Sequence, residues 1–172
     1  MYSIIEDYFF FWQIIDIKKK FSNTELKFYQ LFYKITKTFP VNIIIKEAYI
    51  FFFVNNQDYF KSKQYIRKLR SMLKNKKIII LREESTLIRL LFSFFQDTNI
   101  YDIILGQHGN SDKKLVRILY CINKDRAIAI GNNGVYIKTI NFLFNNYINF
   151  RYYNNIHMKI PMEIRCETIK KE

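Results

Sequence analysis

The chain has 172 residues, 49% of them hydrophobic, and a formal charge of +13 from 28 Lys and Arg against 15 Asp and Glu. That length and apolar content hold one ordinary domain or two small ones sharing a core, and exclude a wholly disordered chain. The excess of cations points to phosphate, with nucleic acid ahead of an anionic membrane surface. Phe 17 and Tyr 13 stand against Gly 4 and Pro 2, the bias of an AT-rich, organellar genome. Most of the rings therefore count as core or codon drift. No secretory signal or import presequence is visible at the amino terminus, where Glu6 and Asp7 precede a short apolar run. The stretch Val41 to Val54 is interrupted by Lys46 and Glu47 and is shorter than the roughly 20 residues a membrane span needs. The expectation is a soluble protein with no membrane partner, in the mitochondrial matrix or, as second choice, the plastid stroma. Cys121 and Cys166 make no disulfide framework, and His108 and His157 supply no zinc pattern. No cofactor or metal is expected.

Charge divides the chain near Arg82: residues 1–82 carry 16 Lys and Arg against 6 Asp and Glu, and residues 83–172 carry 12 against 9. Ser22 followed by Glu25 fits a capping box, which predicts a helix running to about Thr38, before Phe39-Pro40 stops it. Val41 to Val54 reads as one long or two short buried strands. After the turn Asn55 to Asp58, the residues Tyr65, Ile66, Leu69, Met72 and Leu73 recur at helical spacing. The rest of that stretch is cationic: Lys61, Lys63, Arg67, Lys68, Arg70, Lys74, Lys76, Lys77 and Arg82, with no acid between them. Such a face would neutralise several phosphates with salt-dependent affinity.

In the second half, Glu83-Glu84-Ser85 opens a helix with Leu87, Ile88, Leu91, Phe94 and Phe95 on its apolar side. Ile100 to Leu105 and Leu115 to Ile122 predict a hairpin across the polar loop Gly106 to Asp112, with Cys121 as a small buried residue on the second strand. Arg126 to Ile130 is a short helical turn. A helix with Ile137, Ile140, Phe144 and Ile148 follows, then a last strand with Ile148, Phe150 and Tyr152 inward and Asn149 and Arg151 outward. No internal repeat is visible. The predicted division is a basic, aromatic-rich extension at 1–82, a domain at 83–160 and a tail at 161–172.

All four glycines lie between 106 and 134, and two of them frame Gly131-Asn132-Asn133-Gly134. Glycines there allow a tight turn and close backbone approach, and the following helix points free N–H groups and its positive dipole end at whatever lies over the loop. A sugar-phosphate backbone fits that position, with Arg126 and Lys138 flanking it. KH domains use a GxxG loop in this way.

The second half resembles the amino-terminal half of the universal small-subunit ribosomal protein S-three, a type II KH protein. The resemblance lies in Arg82-Glu83-Glu84-Ser85-Thr86-Leu87-Ile88-Arg89, in Thr98 to Ile104, in Lys114 to Asn123, and in Asp125 to Ile137 with its Ile-Gly-x-x-Gly segment. It implies an α+β fold: a type II KH module (α-β-β-α-α-β) carrying a basic α/β amino-terminal extension. By the same resemblance, the function is to hold rRNA in the head of the organellar small ribosomal subunit. The implied partners are small-subunit rRNA and the neighbouring proteins ten and fourteen, with a separate chain supplying the second domain that the family has and this sequence lacks. The family has Lys or Arg where Asn132 and Asn133 stand, so the loop positions RNA and the run Lys61 to Arg82 grips it. Nothing in the sequence suits catalysis: His108, His157 and the Glu83-Glu84 pair lack nucleophile or apolar surroundings. Two rival readings remain. One is a KH transcription factor similar to the stand-alone archaeal relatives of NusA, which carry two KH modules; a second such fold within residues 1–82 would favour it. The other is a membrane-complex accessory protein.

Overall fold

The computed structural model describes residues 2–17, 20–106, 112–152 and 156–169. The chain begins with α1 (Tyr2–Phe11) and a short strand, β1 (Ile15–Ile17). The expected capping box then forms: the Ser22 N–H donates to Glu25 Oε2 at 2.8 Å and the Glu25 N–H to Ser22 Oγ at 3.4 Å. It starts α2 (Asn23–Thr36), which stops where Lys37 turns left-handed at φ 58°. Val41 to Val54 resolves into two strands, β2 (Pro40–Lys46) and β3 (Tyr49–Val54), paired antiparallel across Glu47-Ala48. Next come α3 (Asn56–Lys63), α4 (Ile66–Met72) and β4 (Lys77–Arg82), the last parallel to β3.

The cationic stretch is thus not one helix. Its apolar spacing holds for only a turn or two, and the Ile78-Ile79-Ile80-Leu81 run that follows is drawn into the sheet, where Ile78, Ile80 and Leu81 are buried. Ile43, Ile50, Phe52, Ile78 and Ile80 pack against Phe32, Ile35, Tyr59 and Leu69 of the helices. Phe32 stacks on Phe52 with centroids 4.5 Å apart, and burying such a ring contributes about 1.5–3 kcal/mol. A buried hydroxyl chain ties the end of α2 to α3. Thr36 Oγ1 and Thr38 Oγ1 lie 2.8 Å apart, Thr38 Oγ1 and Ser62 Oγ 2.7 Å.

The remaining elements are α5 (Leu87–Phe94), β5 (Ile100–Gly106), β6 (Lys114–Tyr120), α6 (Asn123–Ile130), a 3-10 turn (Asn132–Gly134), α7 (Val135–Tyr147), β7 (Ile148–Arg151), β8 (His157–Met158) and β9 (Met162–Thr168). The chain divides into two units, Lys19–Glu84 and Met1–Lys18 with Ser85–Glu172. This differs from the predicted boundaries at both ends. β1 leaves the amino-terminal segment to pair with β7, and the Arg151 guanidinium bonds Asp16 at 2.6 Å, so residues 2–17 belong with the second half. The expected tail is a strand: β9 runs parallel to β6, its residues Met162, Ile164 and Cys166 buried and Glu163, Arg165 and Glu167 turned outward. β7, expected to complete the main sheet, instead sits between β1 and β8. Ile148 and Phe150 are buried and Arg151 exposed as expected, whereas Asn149, expected outward, is buried and Tyr152, expected inward, lies past the strand and is exposed. The loop 107–111, with His108, and Tyr153 lie outside the described residues.

Both units contain one arrangement. The order α2-β2-β3-α3-α4-β4 recurs as α5-β5-β6-α6-α7-β9, and in each copy the central strand is antiparallel to the strand before it and parallel to the last one. The fold is α+β, with three small sheets. It contains an internal repeat of backbone plan that the residues conceal.

An edge strand leaves N–H and C=O groups unpaired. On β9 they are taken up by two asparagines one turn apart on α7. Asn141 donates to the Ile164 carbonyl at 3.0 Å and accepts the Ile164 N–H at 2.7 Å; Asn145 does the same for Met162 at 2.9 and 3.1 Å. Arg126 Nε continues the row at the Cys166 carbonyl, 3.1 Å. Each amide imitates a further strand. Replacing Asn141 or Asn145 by Ala should therefore cost about 1–3 kcal/mol, the range for stranding a partly buried polar group. Urea unfolding would read this, and the double variant should lower the midpoint further.

Candidate nucleic-acid interface

Gly131 to Gly134 joins α6 to α7. Gly131 has φ 76° and ψ 172°, a region nearly closed to residues with a side chain, and a Cβ there would stand 2.6 Å from Tyr136 Cβ. Tyr136 is itself fixed: its hydroxyl donates to the Phe94 carbonyl at 2.6 Å and its ring meets Phe95 edge-on. The loop is therefore clamped to α5 through one tyrosine. Asn133 at φ 51° and Gly134 at φ 70° are left-handed, but a Cβ on Gly134 would have 3.9 Å of room. Asn132 and Asn133 are exposed before α7, and their 3-10 turn takes up the first N–H groups of the junction: Gly134 donates to the Gly131 carbonyl at 3.1 Å and Val135 to the Asn132 carbonyl.

α7 buries Tyr136, Thr139, Ile140, Leu143 and Phe144, and Ile148 just past its end is buried as well. Of the expected set Ile137, Ile140, Phe144 and Ile148, only Ile137 departs, half-buried where Tyr136, bonded to α5, takes the inward place. Lys138 is left exposed beside the loop. Arg126 is half-buried and held by the Cys166 carbonyl, so it supports the loop from behind.

The cations of the other unit fall into two groups. Lys63 donates to the Tyr59 hydroxyl at 2.8 Å, Arg70 to the Ile78 carbonyl at 3.3 Å, and Lys76 to the Glu47 carbonyl at 2.9 Å, while Lys77 lies over Tyr49 and Arg82 over Tyr59 and Phe60. Lys61, Arg67, Lys68 and Lys74 are exposed and make no ion pair among the described residues. They are the members of the run that no described carbonyl, hydroxyl or ring engages. Where the first loop has its four residues, this unit has only Gln64-Tyr65 between α3 and α4, with no glycine.

Among the described residues no group of His, Cys, Asp and Glu could hold a metal. His157 is exposed and faces Asp16 at 3.3 Å. The expected burial of Cys121 is reversed. β6 ends at Tyr120, so Cys121 is exposed and the buried thiol is Cys166, pushed up to about 12 by desolvation. Outside the loop, the Arg117 guanidinium bonds Glu167 at 2.6 Å and lowers that carboxyl below its ordinary value.

No family model and no curated protein matches the chain. Among solved structures, it is similar to the crystal structure of APE1850, an archaeal protein, at 21% identity and a TM-score of 0.57, covering 84% of this chain and 100% of that one. The likeness is one of fold.

Two measurements check this geometry. Gly131→Ala should destabilise by about 1–3 kcal/mol, through the clash and the backbone strain, whereas Gly134→Asn should be close to neutral because asparagine tolerates the left-handed region. Iodoacetamide should label Cys121 in the native protein and reach Cys166 only on unfolding, since a buried thiol of raised pKa holds little thiolate.

Proposed function

We propose that the chain is a two-module KH protein that holds single-stranded RNA, closer in plan to the stand-alone archaeal relatives of NusA than to the KH half of protein S-three. The observation that carries this reading is the second α-β-β-α-α-β unit at Lys19–Glu84. A single type II KH module with a basic extension would leave that repeat without a role; a tandem protein requires it.

In this reading the loop Gly131 to Gly134 receives the sugar-phosphate backbone. The glycine at 131 lets the chain turn without a side chain, and the exposed Asn132-Asn133 backbone allows a phosphate to approach the positive dipole end of α7. Asn132 and Asn133 add amide donors and no charge, and Lys138 supplies the cation beside them. Lys61, Arg67, Lys68 and Lys74 add attraction that depends on salt and not on sequence. The protein carries out no reaction. Its partner is RNA, a transcript if the NusA likeness extends to role.

The ribosomal reading shares this chemistry and is supported by the segments from Arg82 to Ile137, so the two differ in which RNA is bound. No helix among the described residues is long and apolar enough to cross a membrane.

Fluorescence anisotropy with a short labelled single-stranded RNA tests the shared claim. The near-isosteric double variant Asn132→Asp with Asn133→Asp sets two carboxylates against phosphate and should weaken binding on the order of tenfold or more at low salt. Unchanged affinity would remove the loop from the interface. Gradient sedimentation of lysate separates the rivals. Migration with small subunits, lost after ribonuclease, is the ribosomal outcome; migration with RNA polymerase is the outcome expected here.

A further inference from the structure

The unit at Lys19–Glu84 lacks the glycine loop, yet it carries a surface feature that the KH reading does not use. Phe39, just before β2, is stacked on Tyr33 of α2 with centroids 4.3 Å apart and planes 9° from parallel, and Tyr29 flanks it at 5.9 Å. Core rings are hidden, but these are not. Phe39 is 54% exposed and Tyr33 40%, so more than half of the Phe39 side chain stays open to water although Tyr33 and Tyr29 both stack on it.

Lys37 lies between them in sequence, with its ammonium 5.9 Å from the centre of the Tyr33 ring. It does so from a left-handed backbone, φ 58°, a conformation that glycine adopts freely and lysine does not. The helix would end more easily on Gly. What lysine adds at this place is a cation at the edge of an aromatic stack.

The same corner is joined to the cationic helices. Thr38, between Lys37 and Phe39, bonds Ser62 at 2.7 Å, and Ser62 stands between Lys61 and Lys63 on α3. The Thr36, Thr38 and Ser62 hydroxyls thus tie the segment that carries Phe39 to the helix that carries the exposed Lys61. Of the acids of this unit, Glu25 is buried in the cap at the far end of α2, Glu47 is in the β2–β3 turn beside Lys46, and Glu83 and Glu84 follow β4, while Asp58 is on α3 itself, one turn before Lys61 and Ser62.

We propose that Phe39, Tyr33 and Lys37 form a stacking subsite for one base of single-stranded RNA, with Lys61 holding an adjoining phosphate. An exposed ring backed by a parallel ring accepts any base, and a cation at its rim favours the charged backbone that a free aromatic ligand lacks. The subsite rests on the RNA-binding reading but on different residues. It replaces, in the unit without glycines, backbone contact by stacking.

The test uses the full chain and labelled single-stranded RNA. Phe39→Leu keeps the apolar cover on Tyr33 and removes the stacking face; affinity should fall about fivefold or more, the effect of losing one stacked base. Lys37→Gly relieves the left-handed backbone, so its melting temperature should match or exceed that of the native chain. Its affinity should fall nonetheless, and the slope of log affinity against log salt should shrink by about one. RNA carrying 5-iodouridine should crosslink to a peptide containing Phe39 or Tyr33. If Asn132→Asp with Asn133→Asp loses RNA while both Phe39→Leu and Lys37→Gly bind as the native chain does, the subsite is overturned and the loop reading stands. Native protein that binds no RNA would overturn both.

Discussion

A sheet of three strands has two edges, and a small unit cannot leave both open without inviting another chain to pair there. The side-chain amides of Asn141 and Asn145 close one of them. Because each amide both donates and accepts, the two fix α7 along β9 in one register and at one distance. The start of that helix is fixed with it. The glycine loop therefore points where the far end of α7, bonded to a strand, requires it to point, and Tyr136 holds the near end to α5. Positioning of the loop is a property of helix and strand together.

The two copies of the arrangement solve the same packing problem with different residues. In one, α4 is a short helix and its Arg70 reaches the Ile78 carbonyl of the edge strand; in the other, α7 runs 13 residues and the asparagines do so twice. In one, the helices meet through Gln64-Tyr65; in the other, they meet through Gly131 to Gly134. What is common is a backbone plan, and what differs is the chemistry presented at the junction. One junction presents two exposed neutral amides between glycines, and the other is surrounded by side-chain cations.

What the sequence revealed was local. The capping box of Ser22 and Glu25, the hairpin of β5 and β6, and the glycine loop each depend on residues a few positions apart, and each formed as expected. The second copy of the fold was hidden because its helices fall inside a cationic run that reads as one face, and because it has no glycine to mark the turn. β9 was overlooked although Met162-Glu163-Ile164-Arg165-Cys166-Glu167 alternates apolar and polar residues without a break, a strand signal that a position near the carboxyl end obscured. The roles of Asn141 and Asn145 could not be read at all, since they exist only once a strand some 20 residues later lies alongside the helix. Likewise, half of the cationic run was already engaged with carbonyls and rings. Composition counts charges, but only the fold shows which remain free.

The amino-terminal strand β1 pairs with β7, and Asp16 meets Arg151 across 135 positions of sequence. Everything needed for the unit at Lys19–Glu84 lies between those partners. That unit is closed by β4, its last strand, whereas β1 has no strand to pair with before β7. Residues 13–15 also meet Ser85, Thr86 and Leu87, but the ring of Phe10 stacks on Phe150, far along the chain. The unit rich in cations is thus completed by segments close in sequence, and the one that carries the glycine loop by its distant ends.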